Sequence, residues 1–268
     1  MLKRCVVVLA TVMLAGCTLN AGSAFAEQYE KYLDTVPEVD TYQIRGNNDL
    51  PADGSADSTV TLKDGLTADE VAAVTAELAS HRVEQTVREH RLSIRFPVAN
   101  GSGEQIVVSV SFDIRKNTGP VSVDQAAAMV ERITTFAAAD PDLTDITTGV
   151  DSIRATTDGD PFALADRLTD YLADEPAEFY QVTASTDIGH VSFFAGDPID
   201  ALRPLTDVLK AVPEGVEPTR WRATSQNADR DPLFEIALPA GTRDDVAATL
   251  DTAAQDAGID VKVTVAVG

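Results

Sequence analysis

The feature that most constrains this chain is an internal repeat. Gly159-Asp160-Pro161 and Leu168-Thr169-Asp170 recur 37 residues later as Gly196-Asp197-Pro198 and Leu205-Thr206-Asp207, with Leu172 matching Leu209. Asp followed by Pro supplies an N-cap and a first helical residue. The breakers Val36-Pro37-Glu38, Asp140-Pro141-Asp142, Glu175-Pro176-Ala177 and Val212-Pro213-Glu214 each end a helical stretch and lead into a strand-like one. Tyr42-Gln43-Ile44 and Tyr180-Gln181-Val182 are similar strand entries. The unit is helix, strand, strand. One such unit cannot bury its own apolar face, so copies must stack. The expectation is an α+β protein of repeated αββ units, with antiparallel sheets and helices packed on one face in ferredoxin-like layers.

Periodicity fills in the units. Thr67 to Glu70 and Ser122 to Gln125 have the form of capping boxes, each ahead of an apolar helical stripe. Leu92, Ile94 and Phe96, then Val108, Val110 and Phe112, alternate with polar residues on either side of Asn100-Gly101-Ser102-Gly103 and predict a hairpin. Pro204 falls inside the stripe Ile199, Leu202, Leu205, Leu209 and should interrupt that helix.

The amino terminus sets the address. Lys3 and Arg4 precede an apolar run of 12 residues, Cys5–Gly16, and Leu14-Ala15-Gly16-Cys17 closes it. The run is too short for the roughly 20 residues that span a bilayer. Charged head, apolar segment and small-residue cut site form a secretion signal. A second cut site of A-x-A form is present at Ala24-Phe25-Ala26. Leu14 to Cys17 resembles the lipobox of bacterial lipoproteins. That resemblance implies cleavage between Gly16 and Cys17, a diacylglyceryl group on Cys17, and residence on the extracytoplasmic face of the cell membrane. The expected layout is a signal peptide over 1–16, a lipidated cysteine and tether over 17–26, and αββ-repeat domains over 27–156 and 157–268.

Cleavage there would remove Cys5 and leave Cys17 acylated, so no disulfide and no cysteine metal site is expected. It would also remove Lys3 and Arg4, leaving 19 basic against 43 acidic residues and a formal charge of −24. Such a charge opposes binding to nucleic acid. Arginine far outnumbers lysine, 15 to 6. The chain as a whole resembles lipoproteins of Gram-positive, actinobacterial-type organisms. The order strand, capped helix, turn, strand over Thr59 to Phe96 also resembles BON-type modules, which implies envelope association.

Recognisable catalytic chemistry is missing from the sequence. There is no G-x-S-x-G, S-x-x-K, H-E-x-x-H or P-loop. His81 and His90, near a predicted helix end, are expected at the surface, and no metal site with His190 is expected. Asn227, Asp229 and Asp231 open like a calcium loop, but Pro232 and Leu238 stand where glycine and glutamate are required. Trp221 is expected in the core. No cofactor is expected, and the protein is not expected to be an enzyme. The candidate binding residues are arginines. Arg82, Arg88, Arg91 and Arg95 cluster in an acidic chain, and Arg220 and Arg222 flank Trp221. Arg91, Arg95, Arg220 and Arg222 should leave the polar faces of strands, where guanidinium groups suit phosphate or carboxylate. The expected function is a non-catalytic envelope binding or scaffold module, its partner an envelope protein or a wall polymer. The alternative is a ligand- or ion-binding receptor with a cleft between repeat units.

Overall fold

The computed structural model describes residues 20–48, 54–84, 87–115, 119, 121–149, 151–173, 181–225 and 231–266. The signal, Gly16, Cys17, Val150, Glu175-Pro176, Tyr180, Asn227 and Asp229 lie outside them. The chain forms two compact units. The first runs to Ala99 and adds Gln105–Ala139 and Thr148–Val150; the second holds Asn100–Glu104, Asp140–Thr147 and Asp151–Gly268.

The first unit contains α1 (Ala21–Leu33), β1 (Val39–Asn47), β2 (Ser55–Leu62), α2 (Ala68–Ser80), β3 (Glu89–Ala99), β4 (Gln105–Arg115) and α3 (Val123–Ala139). Both predicted capping boxes form. Thr67 and Glu70 exchange side-chain-to-backbone bonds at the start of α2, and Ser122 and Gln125 do so before α3. β1–β2 and β3–β4 are antiparallel, whereas β2 and β3, joined through α2, are parallel. Paired positions share a face. Val60, Ile94 and Val110 are buried in one row, and Ser58, Leu92 and Phe112 in the next. The intervening rows are polar and more open.

The second unit contains β5 (Leu143–Thr148), β6 (Ser152–Thr157), α4 (Pro161–Leu172), β7 (Gln181–Ser185), β8 (Gly189–Phe194), a 3₁₀ turn (Ile199–Ala201), α5 (Pro204–Lys210), β9 (Arg220–Thr224), β10 (Leu233–Leu238), α6 (Asp244–Asp256) and β11 (Val261–Val265). Pairing alternates again. β7–β8 and β9–β10 are antiparallel; β6–β7, β8–β9 and β10–β11, each joined through a helix, are parallel.

The αββ repeat is therefore present, in mixed sheets. Only the hairpins are antiparallel, because each helix returns the chain to the end where the previous strand began. Within each unit the strands lie in chain order rather than interleaved as in a ferredoxin-like sheet. Two expected boundaries move. Residues 21–26 are the first turns of α1, not a tether, because Ala21, Gly22 and Phe25 are buried. β5 and β6 belong with the second unit, because β6 pairs with β7 across α4 and the Asn100 amide donates to the Pro141 and Leu143 carbonyls at 3.2 and 2.9 Å.

The duplicated helix starts diverge. Asp160 caps α4, accepting from the Phe162 amide at 2.9 Å, with Pro161 at the first helical position. In the second copy the Asp197 carboxylate accepts from the Ser225 hydroxyl, and Pro204 splits the helix into the 3₁₀ turn and α5. Arg203 then bridges the copies, reaching both oxygens of Asp166 at 2.6 Å. Thr242, two residues before α6, does not cap that helix; its hydroxyl donates to the Pro239 carbonyl at 2.7 Å.

Trp221 is buried, as its place in the αββ pattern predicts, and its ring stacks parallel to Phe162 at 6.2 Å. Its cross-strand neighbour is Gly189. A Cβ there would overlap the indole. Gly189→Ala should therefore destabilise the protein by about 2–3 kcal/mol through overpacking, with quenching or shift of the Trp221 emission, measured by denaturant unfolding followed by fluorescence.

Candidate functional site

Helices cover one side of each sheet, so the polar side is where strand side chains meet solvent. In the second unit, Ile153, Ala155, Val182, Ala184, Val191, Trp221, Ala223, Phe234 and Ile236 are buried, and the residues between them point the other way. Register builds two rows from those intervening positions. One runs Thr156, Ser185, His190, Arg222, Glu235, Lys262. The other runs Arg154, Thr183, Ser192, Thr224, Leu233, and Arg220 lies two residues along β9 from Arg222.

Along β6 to β11 this face carries Arg154, Arg220, Arg222 and Lys262 against a single carboxylate, Glu235. Arg222 Nε lies 2.7 Å from Glu235 Oε2, and Lys262 Nζ 3.5 Å from Glu235 Oε1. The Arg222 contact is close but oblique to its N–H, so it is an ion pair and not an aligned hydrogen bond. The close contact with Arg222, then the charges of Arg222 and Lys262, outweigh burial and hold the Glu235 carboxyl below its usual range. Arg154 and Arg220 are exposed and have no ion pair among the described residues. His190 is half-buried. Burial, then the charges of Arg222, Arg154 and Arg220, lower its pKa and disfavour the charged ring. Hydroxyls fill the space between the cations: Thr156 with Ser185 at 3.3 Å, and Thr183 with Ser192 at 3.2 Å. Fixed cations and hydroxyls on an open sheet suit an anion-bearing, hydroxylated ligand.

The polar face of the first unit is different. Arg91 and Arg95 do leave the side opposite Leu92, Ile94 and Phe96. There the register sets Arg45, Asp57, Arg91 and Asp113 in alternating order. Arg91 lies 3.8 Å from Glu89 and 3.9 Å from Asp113, and Arg115 is 3.7 Å from Glu89. Arg95, between Thr61 and Ser109, has no ion pair among the described residues. Arg82 is not on this face: it donates to the Ala79 and His81 carbonyls at the end of α2. Of the four predicted arginines, Arg220 and Arg222 stand in a positive field and Arg91 in a compensated one. Arg154, His190 and Lys262 join Arg220 and Arg222 in the candidate site, which the sequence marked only by those two arginines. Their signal was the alternation of each with buried strand residues.

The histidines also need correction. His90 is not at the surface. It is 4% exposed on β3, beneath Phe25 and Tyr29 of α1, with ring centroids at 4.7 and 4.9 Å. Its Nε2 lies 2.8 Å from the Ser58 hydroxyl, itself 3% exposed. A Ser–His pair invites a nucleophile reading, but the geometry opposes it. A base needs an orienting acid and access to substrate. The one charge bearing on His90 is the cation of Arg82, and the α1 rings cover the pair. His81 is half-buried and stacks flat on Tyr32, while the Tyr32 hydroxyl donates to Glu77 at 3.0 Å. No group of three or more potential metal ligands occurs among the described residues, and among them no helix is long and apolar enough to cross a membrane.

Comparison with family models, curated proteins and solved structures finds no match to this chain.

Burial, then the charge of Arg82, lowers the His90 pKa from 6.5 to about 4. As pH falls through 6.5 the unfolded chain takes up this proton first. Stability is thus intact above that value and lost progressively down to about 4, by about 3 kcal/mol in total. Urea unfolding of wild type and His90→Gln between pH 7 and pH 4 should show the wild type losing that much more than the variant.

Proposed function

We propose that this protein is a lipid-anchored, extracytoplasmic binding module of the cell envelope, without catalytic activity of its own. Its ligand is an anionic polymer of the wall, held on the polar sheet face of the second unit. One observation carries the reading: Arg154, Arg220, Arg222 and Lys262 share that face with one carboxylate, in a chain of net charge −22. A protein this acidic repels polyanions over most of its surface, so a local cationic face defines where one can approach. Arginine pairs with phosphate or carboxylate in a fork, and the flanking hydroxyls match sugar or glycerol oxygens.

The anchor reading draws support from α1. Cleavage after Ala26 would remove Ala21, Gly22 and Phe25, all of them buried. Cleavage before Cys17 spares the whole helix. The burial of Ser58 and His90 supports a non-catalytic role.

Acylation should appear in the intact mass of the mature protein, and Cys17→Ser should move it from the membrane to the soluble fraction. The ligand is tested on immobilised poly(glycerol phosphate), with neutral dextran as control. Wild type should be retained on the polyanion and released by salt. The double variant Arg154→Gln, Arg220→Gln, which breaks no ion pair among the described residues, should bind about ten-fold more weakly. Equal retention of the two proteins would refute the site.

A further inference from the structure

The start of α1 fixes more than a cleavage site. Only Thr18, Leu19 and Asn20 separate Cys17 from Ala21, where the helix begins. Four residue steps span at most about 14 Å. Ala21 is 2% exposed, so the folded body starts there. The helix end is wedged into one end of the first unit. A Cβ on Gly22 would overlap the Asn47 backbone, one on Gly46 would overlap Gly22, and one on Gly54 would lie 2.8 Å from the Gly22 nitrogen. The Asn48 side chain accepts from the Gly22 and Ser23 amides at 2.9 and 3.3 Å and donates to the Ser23 hydroxyl at 2.8 Å. The helix is therefore capped by β1's far end, not by Asn20.

The strands converge on that end. Ser55 opens β2 and pairs with Glu89 at the start of β3, which pairs with Arg115 at the end of β4. The Arg88 amide donates to the Gly54 carbonyl at 3.0 Å. Among the described residues, Arg45, Arg91 and Arg115 in the outermost rows, with Arg88 just before β3, stand against Asp57, Glu89 and Asp113. These described side chains are far more balanced in sign than the chain as a whole, at −22, so an anionic leaflet repels them less than the acidic parts of the molecule.

We infer that the Asn47–Ser55–Arg88–Arg115 end of the first unit rests on the phospholipid headgroups, with the strands standing away from the bilayer. The inference depends on the lipid anchor proposed above. The three-residue link leaves no room for the body to turn over. Asp64 lies just past the opposite end of β2, whose seven steps from Ser55 to Leu62 span about 23 Å.

The acylated mature protein has no other cysteine, so a single introduced thiol reports one position. Arg88→Cys and Asp64→Cys, both at exposed sites, are labelled with a fluorophore. Each protein is placed in phosphatidylcholine–phosphatidylglycerol vesicles carrying a headgroup spin label. Quenching should be several-fold stronger at position 88 than at position 64. Twelve Gly/Ser residues inserted before Asn20 should abolish the difference. With the acyl mass confirmed, equal or reversed quenching overturns the docking. A difference that survives the insertion overturns the short link as its cause. A protein lacking the acyl mass overturns the anchor itself, and the docking with it.

Discussion

A helix that joins two adjacent parallel strands covers only the sheet face on which it crosses. The next hairpin keeps the chain in the same sheet, and the next helix meets the same choice. If crossovers share one hand, as the chirality of L-residues favours, successive helices fall on one side. Burial follows from this constraint. Val60, Ile94 and Val110 in the first unit, and Ala155, Ala184, Val191 and Ala223 in the second, face the helices row by row. Among the described residues no helix covers the opposite rows, which leaves their polar side chains at the surface. Small residues recur where the second unit brings helix and sheet together, and Gly189 yields its side-chain volume to Trp221.

Charge divides along the same line. α6 exposes Asp244, Asp245, Asp251 and Asp256 on the helix side of the second unit, while Arg154, Arg220, Arg222 and Lys262 stand on the sheet side. Acids in the first turn of α6 also suit the positive end of its dipole. The net charge read from composition is an average over two unlike surfaces. A strongly acidic total is thus compatible with an anion-binding face, provided the helix layer carries the excess.

Local signals in the sequence translated well into local structure. The capping boxes at Thr67 and Ser122, the Asp160-Pro161 start and the break at Pro204 depend on residues within one turn, and all appear. The αββ order was legible for the same reason. What was not legible depends on partners far along the chain. Residues 21–26 are small and polar enough to suggest a tether, yet they are helical because Asn48 supplies the cap and Gly46 and Gly54 open the space. His90 alternates as a strand residue should, but only the docking of Phe25 and Tyr29 buries it. The parallel pairing across each helix decides which arginines become neighbours. Thus Arg91 finds Asp113 and Glu89, whereas Arg220 finds no carboxylate among the described residues. Strand periodicity gives a side chain's face; only register gives its company.

That dependence on distant partners gives α1 an unusual position. Its N-terminal turn contributes little helix-forming chemistry of its own: Asn20 makes no cap bond, and no acid stands in the first turn. The acceptor that its first amides lack comes from the Asn48 side-chain oxygen, 26 residues from Gly22. Closing that loop costs entropy that only the assembled β1–β2 hairpin repays. Tyr29 adds a second long-range tie through its hydroxyl, which donates to the Leu78 carbonyl at 3.1 Å. The helix nearest the proposed anchor therefore takes its stability from β1, β2 and α2 rather than from its own sequence. A force applied at the start of α1 would pass into the sheet through Gly22 and Asn48.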